Sequence, residues 1–129
     1  MTTVLVNAPA VHDERARAYA QRWFLCDADR ALIPAAQLSK LDELECTFYL
    51  GYLRLRAPGM LPLELLLDVI EDDDSVRCIA RVGQQQVAAI DEGELAHTWF
   101  SQFLGRPVLC LKVDPDATQE IDWASADLA

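Results

Sequence analysis

Residues 91–114 constrain the fold more than any other stretch. Leu95, Ala96, Trp99, Phe100, Phe103 and Leu104 recur at helical spacing and form one apolar stripe. Asp91 stands where it can cap the start, and Glu94 follows at the spacing from which a carboxylate reaches back to the cap. Gly105 comes after the last apolar residue, as a left-handed stop requires, and Pro107 forbids a restart. Val108 to Val113 then alternates as a strand, with Leu109, Leu111 and Val113 on one face. A short amphipathic helix that passes directly into a strand needs a sheet to dock on.

The remaining chain supplies short strands. Thr2 to Val6 is a β-like run halted by Asn7, Ala8 and Pro9. Tyr19, Ala20, Trp23 and Phe24 fall at helical spacing, with Asp13 as a candidate cap, yet Trp23 to Asp27 also alternates as a strand. Both periods fit there. Asp27 to Arg30 reads as a turn and Ala31 to Ile33 as a brief strand. Pro34 opens a short helix with Ala35, Ala36, Leu38 and Leu41 on its apolar side.

Glu45 to Leu50 and Tyr52 to Arg56 are two strands meeting near Gly51. Ala57-Pro58-Gly59 is a turn, and Leu61 to Leu67 fits a buried strand. Glu71 to Asp74 reads as a solvated hairpin loop, with a hard-cation site as the alternative. Val76 to Val82 and Val87 to Ile90 follow as strands around Gly83 and its glutamines. Residues 116–129 are acidic and poor in apolar groups, so a flexible tail is expected after a domain covering 1–115. The predicted fold class is mainly β, α+β by count. It is a small antiparallel β-barrel with one C-terminal amphipathic helix followed by a closing strand.

A chain of 129 residues is one domain with enough length for a core of its own. The formal charge of −10 repels phosphate backbones and anionic lipid, which argues against nucleic acid and membrane partners. No apolar run is long enough to cross a bilayer, and no basic region precedes an apolar one at the N-terminus. Cys26, Cys46, Cys78 and Cys110 are widely spaced in apolar runs, which points to buried reduced thiols in a cytoplasmic protein. A reactive thiol is the alternative. The five glycines are isolated, so no phosphate-cradling loop is present. His12 and His97 have no neighbours at metal-ligand spacing, and none of Ser39, Ser75 and Ser101 sits on a glycine elbow. Arg54, Arg56, Arg77 and Arg81 can form a basic patch that holds a phosphate or pairs with nearby acids.

Several segments match a known pattern in order and spacing from about Val4 to Pro115. They are Arg22-Trp23-Phe24-Leu25 with Asp27, and Leu53-Arg54-Leu55-Arg56-Ala57-Pro58-Gly59-Met60. Leu63-Glu64-Leu65, Val82-Gly83, and Trp99-Phe100-Ser101 leading to Leu104-Gly105-Arg106-Pro107-Val108 complete the series. Together they resemble the N-terminal β-barrel domain of MOSC proteins, named for the C-terminal domain of molybdenum cofactor sulfurase. The resemblance favours the strand reading for Trp23 to Cys26.

In that family the barrel precedes a catalytic domain that carries the cofactor-coordinating cysteine. The barrel's own share of the molybdenum cofactor site is a Lys-Ser after a proline, plus an arginine of an Asp-Arg-x-Trp block. Here Pro9 matches the proline, while Val11 and His12 stand in place of Lys and Ser. Ala20 and Gln21 replace the Asp-Arg, and Arg22 and Trp23 remain. The resemblance therefore implies a site at His12, Gln21 and Arg22 whose phosphate contacts are missing or neutral.

The expected function is a non-catalytic, stand-alone binding or accessory module, as monomer or homodimer, partnered by a separate MOSC-type chain or another protein. The alternative is a subunit of a split molybdenum-cofactor sulfur-transfer or reductase enzyme with its catalytic cysteine on another chain.

Overall fold

Strand β1, Trp23–Cys26, has all four side chains buried because successive residues enter two different cores. Trp23 and Leu25 face the larger core; Phe24 and Cys26 face the smaller one. The computed structural model of the protein describes residues 1–68 and 76–128. The acidic run Glu71 to Asp74, with both of its readings, lies outside the described residues.

Of the two periods seen near Trp23, the strand is the one realised: Trp23 and Phe24 lie in β1, and the helical turn before it ends at Tyr19. Glu14–Tyr19 is a 3-10 helix whose start is capped by the Asp13 carboxylate on the Arg15 N–H, and β1 follows it. Pro34 precedes two further 3-10 turns, Ala35–Gln37 and Ser39–Glu43, which bury Leu38 and Leu41. The run Thr2 to Val6 makes no strand ladder. Single bridges join Thr2 to Val11 and Leu5 to Trp23.

The remaining strands are β2 (Glu45–Tyr49), β3 (Tyr52–Arg56), β4 (Leu63–Leu66), β5 (Arg77–Val82), β6 (Gln85–Asp91) and β7 (Leu109–Val113). The helix α1, Glu94–Leu104, lies between β6 and β7. Two antiparallel sheets result, one in the order β1-β7-β6-β5 and one in the order β2-β3-β4. The fold is therefore mainly β with one helix, but it is not the closed barrel expected. Cys26 bridges Leu32, and Ala31 bridges Arg81, so only a two-residue segment spans from β1 to β5. Pro34, with no N–H to donate, keeps that segment from growing into a strand.

The larger core is sealed by α1 through Ala96, Trp99, Phe100 and Phe103. Gly105 ends the helix in the left-handed conformation, φ 69°, as its position implies. Two expectations for this helix change. Asp91 ends β6 and does not cap α1; Gly93 is the cap residue. Leu95 does not join the buried stripe and is 77% exposed.

The flexible tail expected from 116 onward is also corrected. Trp123 packs on Phe24, with ring centres 5.2 Å apart, and Ala126 is buried in the smaller core. The Gln119 amide receives the Ala88 N–H and donates to the Ala88 carbonyl, as a strand neighbour would. Sparse apolar content conceals a segment anchored by Ile121, Trp123 and Ala126 and by side-chain amides.

Candidate functional site

The residues at the implied cofactor positions are only partly brought together. Gln21 and Arg22 precede β1 and line a polar pocket of about 280 Å³. Asp114, Gln119 and Trp123 line it as well. The C-terminal segment, not read as part of any site from sequence, is thus one wall. Gln21 adopts φ 50° and donates its N–H to the Thr3 carbonyl at 2.7 Å. On the other side of the same N-terminal segment, Thr2 pairs with Val11. His12 is exposed and does not line the pocket.

Arg22 is the one cation that lines this pocket, and its guanidinium is already engaged. Its Nη2 donates to the Ala18 carbonyl at 3.1 Å, and its Cζ lies 5.5 Å from the Tyr19 ring centre. Asp114 shares the lining, and its carboxylate is held 2.7 Å from Arg77 Nη1. The Gln119 amide is committed to Ala88. A phosphate entering here meets a single arginine and a carboxylate. This donor set does not fit a phosphate-anchored molybdenum cofactor.

A second polar cluster lies deep between the sheets and has no signature in the sequence. Lys112 on β7 is 2% exposed. Its Nζ donates to the Leu66 carbonyl at 2.7 Å and lies 3.5 Å from Glu92 Oε1. It also stands 5.4 Å from the centre of the Trp23 ring. Burial pushes the Glu92 carboxyl above its ordinary value, and the Lys112 charge opposes that shift. The Trp23 indole N–H is buried near Glu92 without a hydrogen bond of normal geometry. This largely buried cluster joins the two sheets.

The residues with the greatest catalytic potential are spent on structure. His97 Nδ1 accepts the Cys110 N–H at 2.8 Å, so in the neutral ring Nε2 carries the proton and donates to Asp91 Oδ1 at 2.7 Å. The same Asp91 oxygen accepts the Gly93 N–H. No ring nitrogen is left to act as a base. Ser101 Oγ accepts from the Val108 N–H and donates to the Val108 carbonyl. All four cysteines are unpaired thiols. Burial pushes Cys26 and Cys46 up to about 12, and raises Cys78 and Cys110 as well. The neutral thiol is therefore the resting form of each.

The arginines read as a patch are divided between the two sheets. Arg54 pairs with Glu64, and Arg77 pairs with Asp114 and Asp116. Among the described residues, no group of three or more His, Cys, Asp or Glu side chains is placed to hold a metal ion. No helix is long and apolar enough to cross a membrane among those residues.

Comparison with known proteins gives a fold relative. The chain is similar to a protein of Bordetella bronchiseptica whose solution structure was solved as a structural-genomics target, at 41% identity and a TM-score of 0.80. The match covers 97% of this chain and 98% of that one. No protein-family model and no curated protein matches the sequence.

Proposed function

We propose, from the premise that this chain belongs to one family with the Bordetella bronchiseptica structural-genomics protein, that it is a non-catalytic binding or accessory module. In kind it is similar to the N-terminal barrel domain of MOSC proteins. The kinship carries the fold; the reading of activity rests on the chain's own side chains. It acts in the cytoplasm, with its cysteines as reduced thiols.

One observation carries the reading. At the position where the resemblance places a cofactor grip, one engaged arginine is the only cation lining the pocket, and the Asp114 in the same lining is paired with Arg77. The engagement of His97 and Ser101 supports the non-catalytic half.

Restoring the lost charge tests it. A Gln21→Arg variant, at the pocket position where the resemblance places an arginine, is expected to bind a molybdopterin-type phosphate by calorimetry, while the parent chain gives no binding heat. Equal binding by both chains contradicts the reading.

A further inference from the structure

Half of the exposed large apolar side chains among the described residues gather on one face of the β2-β3-β4 sheet. Tyr49, Tyr52 and Leu66 are 48%, 38% and 42% exposed. The ladder sets Tyr49 beside Tyr52 and Tyr52 beside Leu66, so the three form one row across the strands. Leu50, in the turn next to that row, is 73% exposed. It also holds φ 52°, a left-handed conformation that strains a leucine. The opposite face of the sheet, with Phe48, Leu53, Leu55 and Leu65, is buried in the larger core. The row itself stays open to solvent.

Charged side chains continue the same face. Thr47, Arg54 and Glu64 form the next row, and Glu45 and Arg56 the one after. The middle row is satisfied within the chain: Arg54 Nη2 lies 3.1 Å from Glu64, and its Cζ lies 4.0 Å from the Tyr49 ring centre. Glu45 and Arg56 differ. Both are exposed and they are neighbours across the ladder, yet neither forms an ion pair among the described residues.

We propose that this face pairs with the same face of a second copy, about a two-fold axis that runs parallel to the strands between β2 and β3. The inference goes beyond the accessory-module reading and stands whether or not that reading holds.

The register selects that occupant. Such an axis lays each β2 residue over the β3 residue beside it in the ladder, but on the other copy. Tyr49 then meets Tyr52 of the second copy, Thr47 meets its Arg54, and Glu45 meets its Arg56, each contact made twice. The free Glu45 and Arg56 thereby gain opposite charges, and the tyrosines gain each other. Two arginines and two glutamates leave the face with no net charge. Over the whole chain a charge of −10 repels another copy, so the copies meet most readily where the facing surface is neutral.

The test is sedimentation equilibrium of the intact protein over a concentration series reaching about 1 mM, where a reversible monomer–dimer equilibrium is expected. Backbone amide shifts that follow concentration are expected at Glu45, Tyr49, Leu50, Tyr52 and Arg56. Glu45→Arg sets like charges against each other across the axis and is expected to weaken the dimer about tenfold, or about 1.4 kcal/mol. The Glu45→Arg, Arg56→Glu double variant restores the opposition and is expected to recover the parental constant. Leu50→Asn suits the left-handed backbone, so it is expected to keep or raise the unfolding temperature while weakening the dimer. A monomer throughout the series overturns the proposal and leaves a different protein as the occupant. A dimer unchanged in both Glu45→Arg and Leu50→Asn overturns it as well, because the copies then meet elsewhere. A double variant as weak as Glu45→Arg contradicts the two-fold pairing.

Discussion

Lys112 Nζ lies 2.7 Å from the Leu66 carbonyl oxygen, tying the closing strand of one sheet to the last strand of the other. Lys112→Met removes that tie and leaves Glu92 buried without its cation. The expected cost is about 3–5 kcal/mol in urea unfolding, the range for breaking one side of a buried pair. The double variant Lys112→Met, Glu92→Gln is expected to regain part of the loss, because no uncompensated charge remains. A single variant as stable as the parent contradicts a tie between the sheets.

Gly83 tests the C-terminal segment. At φ 62°, a Cβ on this residue would stand 2.5 Å from Ser125 Oγ. Gly83→Ala is expected to cost about 1–3 kcal/mol and to displace Trp123 from Phe24, read as changed tryptophan fluorescence. Ser125→Gly in the same chain is expected to restore part of both. Gly51→Ala, where a Cβ meets nothing within 4 Å, serves as the control.

The sheltered thiols set an alkaline limit. Cys26 and Cys46 are held to about 12 in the fold, against an ordinary value of 9.0. Between those values the folded chain keeps protons that the unfolded chain has released. Their contribution to stability is therefore complete below pH 9.0 and is lost as pH rises toward about 12. Urea midpoints are expected to fall with pH across that window, and to fall less steeply in a Cys26→Ala, Cys46→Ala variant. Alkylation by iodoacetamide at about pH 8 is expected to be slow in the native protein and fast in urea.

Local chemistry was legible in the sequence; long-range pairing was not. Gly105 and Pro107 mark the end of α1 and the start of β7 through backbone rules that act within a few residues. The alternation of Trp23 to Cys26 is that of a strand buried on both faces. Leu95 shares the spacing of the apolar stripe, but spacing alone does not say how wide a stripe the sheet covers. Lys112, Glu92 and Leu66 meet across intervals that leave no periodic trace. The barrel expectation failed at Ala31–Leu32: the brief strand before Pro34 was legible, but not that it would reach β1 and β5 through single bridges only. Of the implied site, Gln21 and Arg22 share a pocket and His12 lies outside it. Asp114, Gln119 and Trp123, which share its lining, come from the end of the chain beyond β7.

The proposed binding role requires that no cofactor grip remain beside Arg22. Titration of the isotopically labelled protein with a molybdopterin-type phosphate, followed through the backbone amides of Gln21, Arg22 and Asp114, tests it most directly. These amides are expected to stay unshifted at the highest ligand concentration. Saturable shifts at Gln21 and Arg22, lost in Arg22→Ala, would contradict it.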